Sequence, residues 1–123
     1  MTYAQERVGN VEIVDLKDIA DALRSDRSYA FPEFSDPKIK YIAVDVSAYF
    51  NIGFYDPQMA IFMYSKKAKS AGKKLVFVNV GDEAASQMRE CQMDVILRMH
   101  GFKWTPHSIE EFLKENSDFG SQS

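Results

Sequence analysis

The chain has one cysteine, two histidines and six glycines in 123 residues. A single thiol, Cys91, cannot close an intramolecular disulfide, so a reducing, cytoplasmic setting suits it best. His100 and His107 lie seven apart, with neither HxxxH nor HxH spacing and no close carboxylate frame, which argues against a zinc site. The glycines form neither GxGxxG nor GxxxxGKS/T, so no glycine-rich loop is expected to cradle a phosphate. The apolar run around Ala60 to Tyr64 falls far short of the roughly 20 residues that span a bilayer. The opening MTYAQERVGN lacks the basic-then-apolar layout of a signal peptide. Lys and Arg number 15 against 18 Asp and Glu, a net charge of −3, without the basic stripe on which phosphate-contacting nucleic-acid binders rely. The expectation is a soluble, acidic, cytoplasmic protein with no membrane insertion, no nucleic acid, no metal and no cofactor.

What is present is enough for a core. Leu, Ile, Val and Phe make up 31 of the 123 residues, above the roughly one-fifth below which disorder is the default. The length suits one domain, since a single core serves about 100 to 200 residues. Two strand-like pieces, around 2–7 and 11–14, flank Gly9-Asn10, a pair that suits a tight hairpin turn. Asp15 is placed to cap a helix running to Arg24, with Leu16, Ile19, Ala20 and Leu23 at helical spacing. Residues 25–38 read as a loop carrying Pro32 and Pro37, whose Tyr29, Phe31 and Phe34 are expected to pack back on the body. Residues 40–46 and 74–80 are near-continuous apolar strands, buried on both faces. Between them, Asp56-Pro57 starts a helix that Gly72 ends, completing a βαβ crossover. A helix over 83–91 follows. Residues 93–99 read as a helix tail or an edge strand, 109–114 as a last helix, and 115–123 as a frayed tail.

Several side chains invite a chemical reading beside a bland one. Cys91 shares a helical stripe with Ala84 and Met88, so a buried structural thiol is preferred to a reactive nucleophile. Asp45, at a strand end, is read as bracing the neighbouring loop rather than as a catalytic acid. Lys66, Lys67, Lys69, Lys73 and Lys74 suit a solvated helix terminus, with an anionic partner as the other reading. The segment from Ala48 to Pro57 bunches aromatics where open α/β sheets place their sites. Phe50 and Ile52 are expected in the core. Phe54 and Tyr55 are open between core plugs and exposed docking anchors.

The order of these elements, from about Ile39 to Leu113, resembles the STAS domain, the fold of bacterial anti-sigma factor antagonists. The resemblance rests on Val44-Asp45-Val46-Ser47, the step Phe50 to Ile52, the helix from Pro57 to Ala71, the run from Gly72 to Val80, and Ser108 to Leu113. It implies an α/β sandwich with a mixed sheet of about four to five strands and about four helices. Where that family carries Asp-Ser-Ser-Gly, this chain has Gly53-Phe54-Tyr55-Asp56. The serine that a partner kinase phosphorylates is therefore missing, and no phosphorylation is expected there.

The resemblance implies a non-catalytic module of bacterial transcription regulation and signal transduction. It would bind a protein partner through 53–64, with Gly53, Phe54, Tyr55, Asp56, Met59 and Met63 on the contact surface. The partners implied are an anti-sigma factor, a serine kinase of similar type, a phosphatase or a sensor complex. An alternative is a small-molecule sensor in which the aromatic loop 29–34 closes over an apolar pocket. An enzyme using Asp45 or Asp56 ranks last, since neither has an evident catalytic companion.

Overall fold

A computed structural model describes residues 6–52 and 57–120. In a strand, successive side chains point to opposite faces, and that alternation organises this molecule. Strand β1 (Glu6–Val8) pairs antiparallel with β2 (Val11–Asp15) through the Gly9-Asn10 turn, where Gly9 takes φ 59°. Strands β2, β3 (Tyr41–Asp45) and β4 (Lys74–Val78) then run parallel. Their register sets Glu12, Ile42 and Leu75 in one row and Val14, Val44 and Phe77 in another, both on one face. A two-residue strand, β5 (Lys103–Trp104), adds a parallel edge to β4. The order is β1-β2-β3-β4-β5, a mixed five-stranded sheet in an α/β fold, as expected.

Helix α1 (Leu16–Ser25) is capped by Asp15, whose carboxylate accepts the Lys17 N–H at 2.8 Å. A single turn, α2 (Pro32–Ser35), interrupts the loop 25–38. Helix α3 (Pro57–Ser70) opens on proline and stops before Gly72, which adopts φ 73°. Helices α4 (Asp82–Glu90) and α5 (Met93–Met99) are separated by Gln92 at φ 62°. Leu16, Ile19, Ala60, Ile61, Met88 and Leu97 from these helices join Val14, Val44 and Phe77 in one core. The opposite face is covered by α6 (Ile109–Glu115), which sets Ile109 and Phe112 on Val11, Ala43, Val76 and Val78. Six helices thus lie among the described residues, and none is long and apolar enough to cross a membrane.

Several expectations are refined or corrected. The aromatics of 25–38 do pack inward. Phe31 meets Tyr29, Phe34 and Tyr64 edge-on at 4.8, 5.6 and 5.0 Å, and the wholly buried Glu33 accepts the Tyr64 hydroxyl at 2.6 Å. Residues 93–99 form a helix, and the edge strand is the following β5, too short to show alternation in sequence. The tail does not fray at 115. Phe119 packs on Tyr41 and Phe112 at 5.1 and 5.4 Å, and the Asn10 amide donates to the Gly120 carbonyl at 3.1 Å. One short helix leaves part of the second face bare, and an aromatic on the tail fills it. Residues 121–123 lie outside the described residues.

Two predictions follow from the second face. Phe119→Ala removes a partly buried ring and should lower stability by about 2 kcal/mol in urea denaturation, below the 3–5 kcal/mol typical of a fully buried Phe. An unchanged midpoint would mean that the tail contributes nothing. In α6, the Ser108 N–H and hydroxyl both donate to Glu111 at 3.2 Å, and these bonds hold its carboxyl below the usual range. A carboxyl lowered in the folded state adds stability that is complete above its unfolded pKa and lost as pH falls through the folded value. Ser108→Ala removes the cap as well as a bond to Glu111 and should lower stability at neutral pH. The gap from the parent should narrow when denaturation is repeated below the carboxylate range, at about pH 3.

Candidate functional site

Open α/β sheets bind ligands and partners beyond the carboxyl ends of their parallel strands. Here those ends are Asp15, Asp45 and Val78, side by side in register. One oxygen of Asp45 accepts the Ser47 N–H at 2.9 Å, the Ser47 hydroxyl at 2.6 Å and the Asn79 amide at 3.1 Å. Asn79 stands at φ 57°, a left-handed conformation that asparagine tolerates, and its own N–H donates to the His107 carbonyl at 2.9 Å. Asp45 thus ties the loop after β3 to the loop after β4, the bracing role expected of it. Asn79 was not anticipated, although an asparagine directly after an apolar strand is a signal for such a turn.

The chain then enters a 3-10 turn, Tyr49–Asn51. Side chains three apart nearly eclipse in that geometry. Tyr49 and Ile52 accordingly share the buried side, and Phe50 is turned out at 53% exposure. Phe50 is therefore not the core residue its composition suggests, although its ring keeps an edge contact with Tyr49 at 4.9 Å. Arg24, in the last turn of α1, donates to the Ile52 carbonyl at 2.8 Å and pins the loop from below. No local pattern in the sequence marked Arg24 for this role.

Gly53, Phe54, Tyr55 and Asp56, the centre of the expected docking surface, lie outside the described residues. Beyond them, Met59 is 43% exposed in the first turns of α3, while Phe62 and Met63 are half-buried against the core. Helical spacing sets Met59, Phe62, Met63, Lys66 and Lys69 along the outward side, opposite the buried Ala60, Ile61, Tyr64 and Ala68. That side begins apolar and turns basic, with the Lys66 ammonium 5.3 Å from the centre of the Phe62 ring.

The other candidates are dispersed. His107 sits between Glu111 and Glu115 at 3.8 and 3.9 Å, and His100 lies against the Phe102 ring at 5.7 Å. Among the described residues no group of three or more His, Cys, Asp or Glu is arranged to hold a metal ion. Cys91 is exposed rather than buried, because α4 stops at Glu90 and the left-handed Gln92 hands the buried position to Met93. Its thiol donates to the Met88 carbonyl at 3.3 Å. The lysine cluster is not wholly solvated either. Lys73 is buried and donates to the carbonyls of Asp36, at 2.9 Å, and Ile39. In the loop 29–34 the rings of Phe31 and Phe34 pack on Tyr64 at 5.0 and 4.8 Å.

In comparisons with family models, curated proteins and solved structures, nothing matches this chain.

The Asp45 brace generates a direct test. Asp45→Ala removes an ionised acceptor of three hydrogen bonds and should lower stability by about 2 kcal/mol. The amide signals of Ser47 and Asn79 should shift in an NMR spectrum, and those of α6 should stay in place. Signals at Ser47 and Asn79 that do not move would exclude the brace.

Proposed function

We propose that this chain is a non-catalytic protein-interaction module of bacterial regulation, working in the cytoplasm as a STAS-like anti-sigma factor antagonist does. It binds its partner through the loop and helix of 53–64. The observation that carries this reading is the outward side of α3. A helix in a surface layer ordinarily presents polar residues to water, whereas this one presents Met59, with Phe62 and Met63 only half covered, and Phe50 is exposed in the turn that precedes it in the chain. Methionine and phenylalanine together make an adaptable, apolar contact surface. Asp45 and Arg24 hold the preceding loop from two sides, which lowers the ordering cost of docking.

A serine kinase-like protein, an anti-sigma factor or a phosphatase is the partner class that goes with this reading. With Phe54 and Tyr55 where the STAS family carries serines, there is no serine at that helix start for a partner kinase to phosphorylate, and Tyr55 would need a different class of kinase. Binding is then constitutive or controlled from the partner's side.

The test is a pull-down from native lysate with the intact protein, a Phe54→Ala/Tyr55→Ala variant and a Met59→Glu variant, read by mass spectrometry. A kinase-like or phosphatase-like protein should be recovered with the intact chain and fall at least about tenfold with either variant, a loss of about 1.4 kcal/mol of binding. Circular dichroism should be unchanged. Equal recovery from all three folded proteins would remove this surface from the function.

A further inference from the structure

At the other end of α3, where β4 and β5 begin, a cavity of about 420 Å³ opens beside the sheet. Its volume lies within the range of about 300–1,000 Å³ common to small-molecule sites. Charge sets it apart from the rest of the molecule. Acids outnumber Lys and Arg by 18 to 15 in the chain, yet among the described residues Lys69, Lys73, Lys74 and Lys103 line this one cavity with His100, against Asp118 alone.

Not all of that charge is available. The Lys73 ammonium is committed to the carbonyls of Asp36 and Ile39. Lys69, Lys74 and Lys103 are exposed, belong to three different elements, and none forms an ion pair with a described residue. The helix dipole accounts for one of them, since Lys69 stands in the last turn of α3. It does not account for Lys74 and Lys103, which stand on strands, whose net dipoles are small. Like charges gathered at one cavity repel, and an anion among them reverses the sign of that interaction. One wall is apolar, formed by the paired rings of Tyr41 and Phe119, and the Lys74 ammonium lies 5.8 Å from the Tyr41 ring centre.

We propose that this cavity binds a small molecule bearing a diphosphate group, held by Lys69, Lys74 and Lys103. Lysine is a common phosphate binder that acts as a point charge, while the planar arginine fork serves carboxylate and phosphate alike. Among the described residues no arginine lines the cavity. A group carrying two or more negative charges over two phosphorus centres reaches cations that approach from three elements. The site is distinct from the proposed partner surface, since Met59 stands at the opposite end of α3 from Lys69.

Titration calorimetry on the full chain with inorganic pyrophosphate, beside succinate at matched ionic strength, tests the assignment. Pyrophosphate should bind saturably at one site, and succinate should bind at least about tenfold more weakly. Lys74→Gln/Lys103→Gln should weaken pyrophosphate by at least about tenfold, while the charge-matched control Lys17→Gln/Lys66→Gln should leave it unchanged. Thermal melts without ligand check that the variants fold, and Lys69→Gln alone serves if the double variant does not. Absence of saturable binding, equal binding of succinate, or equal weakening in the control would each overturn the proposal.

Discussion

Because β2, β3 and β4 pair in parallel with Val14, Val44 and Phe77 in one row, one face of the sheet is apolar across its width and has to be covered. A slip of one residue in any of the three strands would turn its part of that row to the other face. The register therefore decides where the helices go. Helices α1, α3, α4 and α5 gather on the Val44 side, and the Ala43 side is left to α6 and the ring of Phe119.

The same register builds the two ends of the sheet differently. At the carboxyl end, Asp15 and Asp45 come side by side, and each carboxylate is used locally, one to cap α1 and the other to hold two loops. These bonds leave the 3-10 turn free to put Tyr49 inside and Phe50 outside. At the amino end, Val11, Tyr41 and Lys74 share a row, and the start of β5 brings Lys103 alongside. Cations gather there because α3, β4 and β5 all begin or end at that edge. An apolar surface and a basic cavity thus occupy opposite ends of one helix.

Much of the first pattern was legible in the chain. The runs at 40–46 and 74–80 are apolar enough to specify buried strands, and Pro57 and Gly72 bracket the helix between them. Asp15 and Ser108 cap the helices that follow them, through bonds that span two or three residues. Less of the site was legible. Met59 is exposed, Phe50 lies outside rather than in the core, Cys91 is exposed, and Lys73 is buried. In the last three cases the residue type matched its expected environment in isolation, and a neighbouring turn or a distant carbonyl reversed it.

The sequence by itself determined most of the longer elements, because caps, breakers and hydrophobic periodicity act over a few residues and need no partner from elsewhere. It determined the hairpin at Gly9-Asn10, the α1 cap and the βαβ crossover within a mixed sheet. Only the tertiary structure decided the pairing of β5, the seating of Phe119 between Tyr41 and Phe112, the capture of the Lys73 ammonium by the chain at 36–39, and the meeting of three lysines at one cavity. Those contacts join residues as far apart as Tyr41 and Phe119. Their energies depend on which surfaces the other elements leave uncovered, and no local pattern in the chain carries that information.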